Sequence, residues 1–342
     1  MVKKVALIRG DGSGPELVDC MIKVLKAVDA QVEIKVCEAG YEWWQKHKGD
    51  SFIPRETWEI LQDSDACFKG PTTTPPDPNT PRSVAVSIRQ KFNLYANIRP
   101  IRTFKGAEGP LGSVDFVCVR EATEGLYSGL EFRVTNDAAI AVRKITRSAS
   151  MRVAKRAFEE VMRRGWSNLI VVTKRNIMKE TDSLFINSVM EVGKAYPNVK
   201  VEEYYIDNLA QQLIKNPQRF NQHIILSTNL FMDIISEEAS ALVGSIGMIY
   251  SGNFGDNYAM FEPAHGSSPK YKGSDKVNPT ATILSGAWML EYLGDVKRAR
   301  AIFEATEEVI SEKKVVTYDL GGNARSSEMA EEIARLAAKK LK

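Results

Sequence analysis

Val5-Ala6-Leu7-Ile8, followed by Arg9-Gly10-Asp11-Gly12-Ser13-Gly14-Pro15-Glu16, is the stretch that decides the fold class. A short continuous apolar run stops at closely spaced glycines, and Leu17, Met21, Val24, Leu25 and Val28 then recur at helical spacing. Strand, tight turn and amphipathic helix in that order specify a parallel α/β unit. The glycines read Gly-x-Gly-x-Gly-Pro, so the final glycine of the dinucleotide-binding fingerprint is missing and a proline stands at the helix start. A Rossmann phosphate loop is rejected on that spacing. The stretch is then either a plain strand-to-helix turn or one wall of a nucleotide cleft.

Outward from this unit the alternation continues. Strand patterns recur over 32–36, 66–68, 114–119, 169–172, 199–205 and 224–226, with one further extended piece over 134–142. Helical patterns cover 54–61, 83–92, 183–196 and 230–242, and Met151, Ala154, Ala157, Phe158, Val161 and Met162 trace another helical face. Three more helices fall near 280–293, 295–313 and 327–341. The proline- and threonine-rich stretch over 71–81 cannot be helix interior and reads as an ordered loop beside a cleft. No repeat, low-complexity tract or flexible linker interrupts the 342 residues, a length that suits two domains. The missing linker predicts that the domains exchange the chain more than once.

Composition sets the outer bounds. Hydrophobic residues at 44% and charged residues at 26% exclude a disordered or fibrous chain. Forty-six Lys and Arg against forty-three Asp and Glu leave a formal charge of +3, too little for a general nucleic-acid or membrane-surface role. No apolar run approaches the ~20 residues of a membrane span. Residues 1–4 lead straight into a strand pattern without a secretion-signal profile, so the expected location is the cytoplasm. Cys20, Cys37, Cys67 and Cys118 are scattered, which argues for reduced core thiols rather than a zinc knot or disulfide framework.

Several residues could carry chemistry. Arg82, Arg89, Arg99 and Arg102 cluster in sequence, and Arg120 follows the apolar run Phe116-Val117-Cys118-Val119. A solvated charge is not expected there, and Arg is suited to holding carboxylates or phosphates bidentately, so a small polyanionic substrate is favoured. Asp233 and Glu237 are four apart on a helical pattern, and Asp207 opens another helix after a strand. Such oxygen ligands suit Mg²⁺ or Mn²⁺, with helix capping and a solvated pair as the equal alternative. Lys174 stands just past one strand and Tyr127 in a glycine-rich segment after another, where open α/β sheets place ligand-binding loops. A salt-bridged lysine and a packed tyrosine are the competing readings. With only His47, His223 and His265 in the chain, neither a histidine metal site nor a Ser-His-Asp triad is indicated.

These residues lie in a series of motifs that resembles, nearly end to end, the metal-dependent β-decarboxylating dehydrogenases, and most of all isocitrate dehydrogenase. That family comprises isocitrate, homoisocitrate, 3-isopropylmalate and tartrate dehydrogenases. The resemblance runs through residues 8–16, Lys69-Gly70-Pro71, Leu94-Tyr95-Ala96-Asn97-Ile98-Arg99-Pro100, residues 119–131, Lys174-Arg175-Asn176, Asp207, Asp233, Phe261-Glu262-Pro263-Ala264-His265-Gly266-Ser267 and Asn278-Pro279-Thr280.

It implies an isopropylmalate dehydrogenase-like two-domain α/β fold, an open mixed sheet with helices on both faces. Residues 1–95 and 245–342 form the large domain, and 96–244 a small domain with a dimer-forming arm. It further implies that Arg89, Arg99 and Arg120 hold the substrate carboxylates, with Thr73, Ser83 and Asn176 also at the substrate. Tyr127 becomes the acid and Lys174 the base. Asp207, Asp233 and Glu237 become the Mg²⁺ or Mn²⁺ ligands, with Lys174 and Asp207 donated by the second subunit of a homodimer. Thr73, Glu262, His265, Gly266, Ser267, Lys270, Tyr271, Asn278 and Tyr318 are the implied coenzyme residues.

Ser83 resembles the serine that isocitrate dehydrogenases place against the γ-carboxylate, although Ala85 stands where they usually have asparagine. Lys270-Tyr271 resembles the pair of the NADP-dependent enzymes, whereas NAD enzymes carry an acidic residue there. The expectation is NADP-dependent oxidation of isocitrate, a 2-hydroxy tricarboxylate. Homoisocitrate or 3-isopropylmalate, with either NADP or NAD, is the alternative. Met232, Glu237, Ala122 and Arg175 depart from the usual residues, which leaves a non-catalytic regulatory subunit as the third reading.

Overall fold

The computed structural model describes residues 2–342. Its strands are β1 (Lys3–Ile8), β2 (Val32–Cys37), β3 (Ala66–Lys69), β4 (Ala96–Arg102), β5 (Asp115–Glu121), β6 (Glu131–Thr135), β7 (Ala138–Ala141), β8 (Asn168–Thr173), β9 (Lys200–Tyr205), β10 (His223–Ser227), β11 (Tyr250–Phe254) and β12 (Ala259–Pro263). Helices α1 (Gly14–Ala27), α2 (Tyr41–His47), α3 (Arg55–Gln62) and α4 (Val84–Lys91) accompany the first strands. α5 (Arg147–Arg163), α6 (Lys179–Gly193), α7 (Ile206–Lys215) and α8 (Asn229–Ser240) alternate with the middle ones. α9 (Thr280–Tyr292), α10 (Val296–Glu312) and α11 (Ser326–Leu341) close the chain.

Ten strands form one mixed sheet in the order β2-β1-β3-β12-β11-β4-β5-β10-β8-β9. β1, β2, β3 and β12 are parallel, as are β5, β10, β8 and β9. β11 runs antiparallel to both β12 and β4, and β4 antiparallel to β5, so the two parallel blocks point in opposite directions. β12 lies beside β3, which returns the C-terminal part of the chain among the N-terminal strands. α9 is buried from Thr280 to Leu290 and apolar on every side, as a helix enclosed by other elements must be. Trp288 on it packs against Phe254 and Phe261 of β11 and β12, with ring centroids 5.2 and 6.0 Å away. Among the described residues, no helix is long and apolar enough to cross a membrane.

The opening turn needs its glycines for close approach. Gly10 has φ +82°, and a Cβ there would lie 2.1 Å from the Pro71 carbonyl oxygen; at Gly12, with φ +58°, it would lie 2.3 Å from that of Ser267. The turn is therefore clamped between two loops distant in sequence. One expectation is corrected: 134–142 is a turn and part of each arm of a hairpin, with β6 and β7 joined at Asn136-Asp137, a turn-forming pair. Sequence periodicity also missed α2, β4, β11 and β12. β4 contains Pro100, which a central strand normally excludes. Its pairing with β11 ends at Ile98, so Pro100 lies beyond that ladder.

Candidate active site

The apolar half of β5 ends in Arg120, and β4 runs antiparallel beside it with Arg99, so two arginines enter one region from adjacent strands. α8 faces them with Asp233 and Glu237. Arg99 donates from Nε to Asn97 Oδ1 at 2.9 Å, from Nη1 to Ser236 Oγ at 2.8 Å and Glu237 Oε1 at 3.1 Å, and from Nη2 to Asp233 at 3.4 Å. Arg120 donates from Nε and Nη2 to Asn229 Oδ1 at 3.0 and 2.7 Å, and from Nη1 to Asp233. The Tyr127 hydroxyl donates to the other Asp233 oxygen, and the Arg120 guanidinium lies 4.8 Å from the Tyr127 ring centroid. Arg99, Arg120, Tyr127, Asp233 and Glu237 thus form one cluster.

Burial sets its electrostatics. The Arg120 pKa is pushed down to about 10, first by burial and then by Arg89 and Arg99, against the pull of Asp233. Burial works to raise the Asp233 pKa, but Arg120 and Arg99 hold it below the ordinary carboxylate value. Glu237 moves the other way, because burial outweighs Arg99. Burial and the hydrogen bond to Asp233 raise the Tyr127 pKa, so the phenol keeps its proton at neutral pH.

Arg89, on α4, is held separately. Its Nε donates to Asn253 Oδ1 at 2.8 Å and its Nη2 to Glu262 Oε1 at 2.9 Å. The other Glu262 oxygen pairs with Lys69 Nζ at 2.8 Å, and all three charged side chains are under 10% exposed. Both oxygens of Glu262 are committed inside this cluster, so it orients Arg89 from β12. Lys69, Asn229, Ser236 and Asn253 were not foreseen as site residues. Lys69 could have been suspected, as a charge ending the apolar run of β3. Ser83 is half-buried immediately before α4.

Lys174 and Asp207 pair with each other at 2.7 Å, and that hydrogen bond lowers the Asp207 pKa. The Lys174 backbone N–H donates to buried Asp182 at 2.5 Å, which also pairs with Arg143 at 2.6 Å, so the exit from β8 is fixed from below. Among the described residues, no hydrogen bond or ion pair links Lys174 or Asp207 to the arginine cluster, and Asn176 is exposed beside them. No group of three or more His, Cys, Asp or Glu among the described residues is placed to hold a metal ion. One chain offers two of the three expected carboxylates, Asp233 and Glu237, one turn apart on α8. Such oxygen donors are of the kind that hard divalent cations take.

Of the expected coenzyme residues, Glu262 lies inside β12 with its carboxylate taken up by Lys69 and Arg89, while Thr73 follows β3, residues 265–278 follow β12 and Tyr318 follows α10. Thr73 Oγ1 and Ser267 Oγ are 2.6 Å apart, and the Ser267 carbonyl accepts from Ser13 N and Oγ at 2.9 and 3.0 Å. Asp11 accepts from the backbone of Thr73, Tyr41 and Glu42 at 2.8, 3.0 and 2.9 Å, tying this turn to the start of α2. A Cβ added at Gly266 would meet open space. His265 is buried with Nε2 unpartnered, and burial lowers its pKa. Asn278 donates to Asp319 at 3.0 Å, close to Tyr318. Tyr271 and Tyr318 lie 6.5 Å apart beside a cavity of about 310 Å³, with Lys270 Nζ 5.0 Å from the Tyr271 ring. Lys272 instead turns to Glu42 at 2.5 Å.

Residues 4–333 match the isocitrate/isopropylmalate dehydrogenase family model. A 3-isopropylmalate/3-methylmalate dehydrogenase of Methanocaldococcus jannaschii is 40% identical over 336 residues, covering 97% of this chain and 98% of that protein. A homoisocitrate dehydrogenase of the same organism is 38% identical over 352 residues, 99% of each. The crystal structure of isocitrate dehydrogenase from Methylococcus capsulatus matches with a TM-score of 0.94 at 38% identity, covering 98% of this chain and 99% of that one. With a full-length sequence match and a shared fold, the chain belongs to the isocitrate/isopropylmalate dehydrogenase family of NAD(P)- and divalent-metal-dependent, oxidatively decarboxylating dehydrogenases.

Proposed function

We propose that this protein is a cytoplasmic homodimer that oxidises isocitrate with NADP and Mg²⁺ or Mn²⁺, releasing CO₂ and 2-oxoglutarate. The observation that carries this reading is the convergence of buried Arg99 and Arg120, with Tyr127, on Asp233 and Glu237. In one chain the acids neutralise the arginines. Asp233 and Glu237, with Asp207 of a second copy, would hold the divalent cation, which would supply Lewis acidity for the oxidation and decarboxylation. Arg99 and Arg120, with Arg89 from α4, bind the substrate carboxylates. Lys174 of the second copy accepts the hydroxyl proton. Tyr127, protonated at neutral pH, donates to the carbon that loses CO₂.

Ser83 before α4 supports isocitrate through a hydroxyl available to a third carboxylate. Ala85, beyond it, favours the second reading in its 3-isopropylmalate form, whose isopropyl group needs an apolar wall in this region. Lys270 against Tyr271, with Tyr318 near, supports NADP, because a lysine in this loop suits a 2′-phosphate better than a free 2′-hydroxyl. Tyr127, Lys174, Asp207 and Asp233 are all present, which argues against a regulatory subunit.

The dimer reading rests on the exposed β6–β7 hairpin, where Phe132, Val134 and Ile140 are 56, 54 and 47% exposed. A two-stranded ribbon bearing that much apolar surface is not stable alone and fits an arm that packs on a second copy. The two opposed sheet blocks support a large domain from 1–95 and 245–342 and a small one from 96–244. A steady-state panel of isocitrate, homoisocitrate and 3-isopropylmalate against NADP and NAD tests the assignment. The highest kcat/KM is expected for isocitrate with NADP; turnover of 3-isopropylmalate alone transfers it to the second reading, and no turnover supports the regulatory one.

A further inference from the structure

A second cleft, of about 600 Å³, is lined by none of Arg89, Arg99, Arg120, Tyr127, Asp233 or Glu237. Arg82, Lys144 and Arg152 line it together with Thr123, Ser128 and Ser148. Among the described residues none of the three cations is within ion-pair distance of a carboxylate. Arg152 donates only to neutral acceptors, Asn93 Oδ1 at 2.6 Å and Thr123 Oγ1 at 2.7 Å, and its buried Nε has no partner. Arg82 donates to the neutral Gln90 side chain. The one carboxylate in the lining, Glu124, is already bonded by the N–H and the hydroxyl of Thr146, both at 2.9 Å. The first turn of α5, capped by Thr146, adds its positive end through Ser148 and Ala149.

We propose that this cleft is a binding site for a small polyvalent oxyanion, held by Arg82, Lys144 and Arg152 and separate from the substrate arginines. Three cations without counter-charges, the Ser148 hydroxyl and a helix start facing one space make a match for phosphate or carboxylate oxygens. The cleft adjoins catalytic elements: Gln90 follows Arg89, Ser128 follows Tyr127, and the Glu124 carbonyl accepts from Asn229, the side chain that also holds Arg120.

The test is titration calorimetry of the purified full-length protein with inorganic pyrophosphate and, separately, tricarballylate, repeated on Arg82→Gln/Lys144→Glu. Both substituted side chains are exposed, and an unchanged melting temperature confirms folding. Saturable binding that weakens about tenfold or more in the double variant is expected. The tighter of the two anions assigns phosphate or carboxylate chemistry. Equal affinity in wild type and variant places the binding elsewhere and overturns the proposal. So does the absence of saturable binding by either anion in the millimolar range, the result if a second copy of the chain fills the cleft.

Discussion

Replacing Glu262 by glutamine is the sharpest test of the buried charge cluster behind the site. Glu262 faces Lys69 at 2.8 Å and Arg89 at 2.9 Å, and also accepts from Asn253 at 2.9 Å. An amide keeps one acceptor but turns an NH₂ toward a second donor, and both buried cations, Lys69 and Arg89, lose their counter-charge. Breaking a buried pair in this way costs about 3–5 kcal/mol, a large share of the ~5–15 kcal/mol that stabilises a domain. The loss should appear as a lower urea midpoint for Glu262→Gln at pH 7.

The pH dependence has a definite sign. Burial would raise the Glu262 pKa, but Lys69 and Arg89 hold it well below the ordinary carboxylate range. Its contribution is therefore complete above the unfolded value of about 4.3 and fades as pH falls through that value toward the folded one. The gap between wild type and variant should narrow correspondingly in acid. Adding Lys69→Met to Glu262→Gln removes one stranded cation and should recover part of the loss. A variant within about 0.5 kcal/mol of wild type at pH 7 refutes the reasoning.

Three other outcomes follow from the site. Lys270→Asp with Tyr271→Ile should shift the NADP-to-NAD ratio of kcat/KM by about tenfold or more toward NAD, and an unchanged ratio removes this loop from coenzyme selection. Asp233→Asn should lower metal-dependent turnover about 100-fold or more while size-exclusion chromatography shows the same assembly; full activity excludes Asp233 as a ligand. Tyr127→Phe and Lys174→Met should each be nearly inactive, yet co-expressed they should regain about a quarter of wild-type activity, because half of randomly paired dimers contain one intact site. No recovery means that both residues act within one chain.

Local patterns revealed the elements whose signal is local. Continuous apolar runs gave β1, β5, β8 and β10, and Arg120 stood out because a charge ending such a run must have a partner. The glycine spacing argued correctly against a Rossmann turn, but its real constraint, the approach of Pro71 and Ser267, comes from distant segments and leaves no local pattern. β11 and β12 are short and carry Ser251, Asn253 and Glu262 inside the sheet, where alternation gives no clue. Asn253 and Glu262 hold Arg89, whose position became visible only with the sheet order. The hairpin read as one extended piece because its side chains meet no core in this chain. The pairing of Lys174 with Asp207, apart from Asp233 and Glu237, was likewise beyond any spacing argument.

The central claim is the reaction itself. Incubating the purified protein with isocitrate, NADP and Mn²⁺ while following NADPH absorbance and released CO₂ together tests it most directly. The two products are expected in equal amounts, and both should cease when EDTA removes the metal. The claim is contradicted if isocitrate yields neither product, or if NADPH accumulates without CO₂.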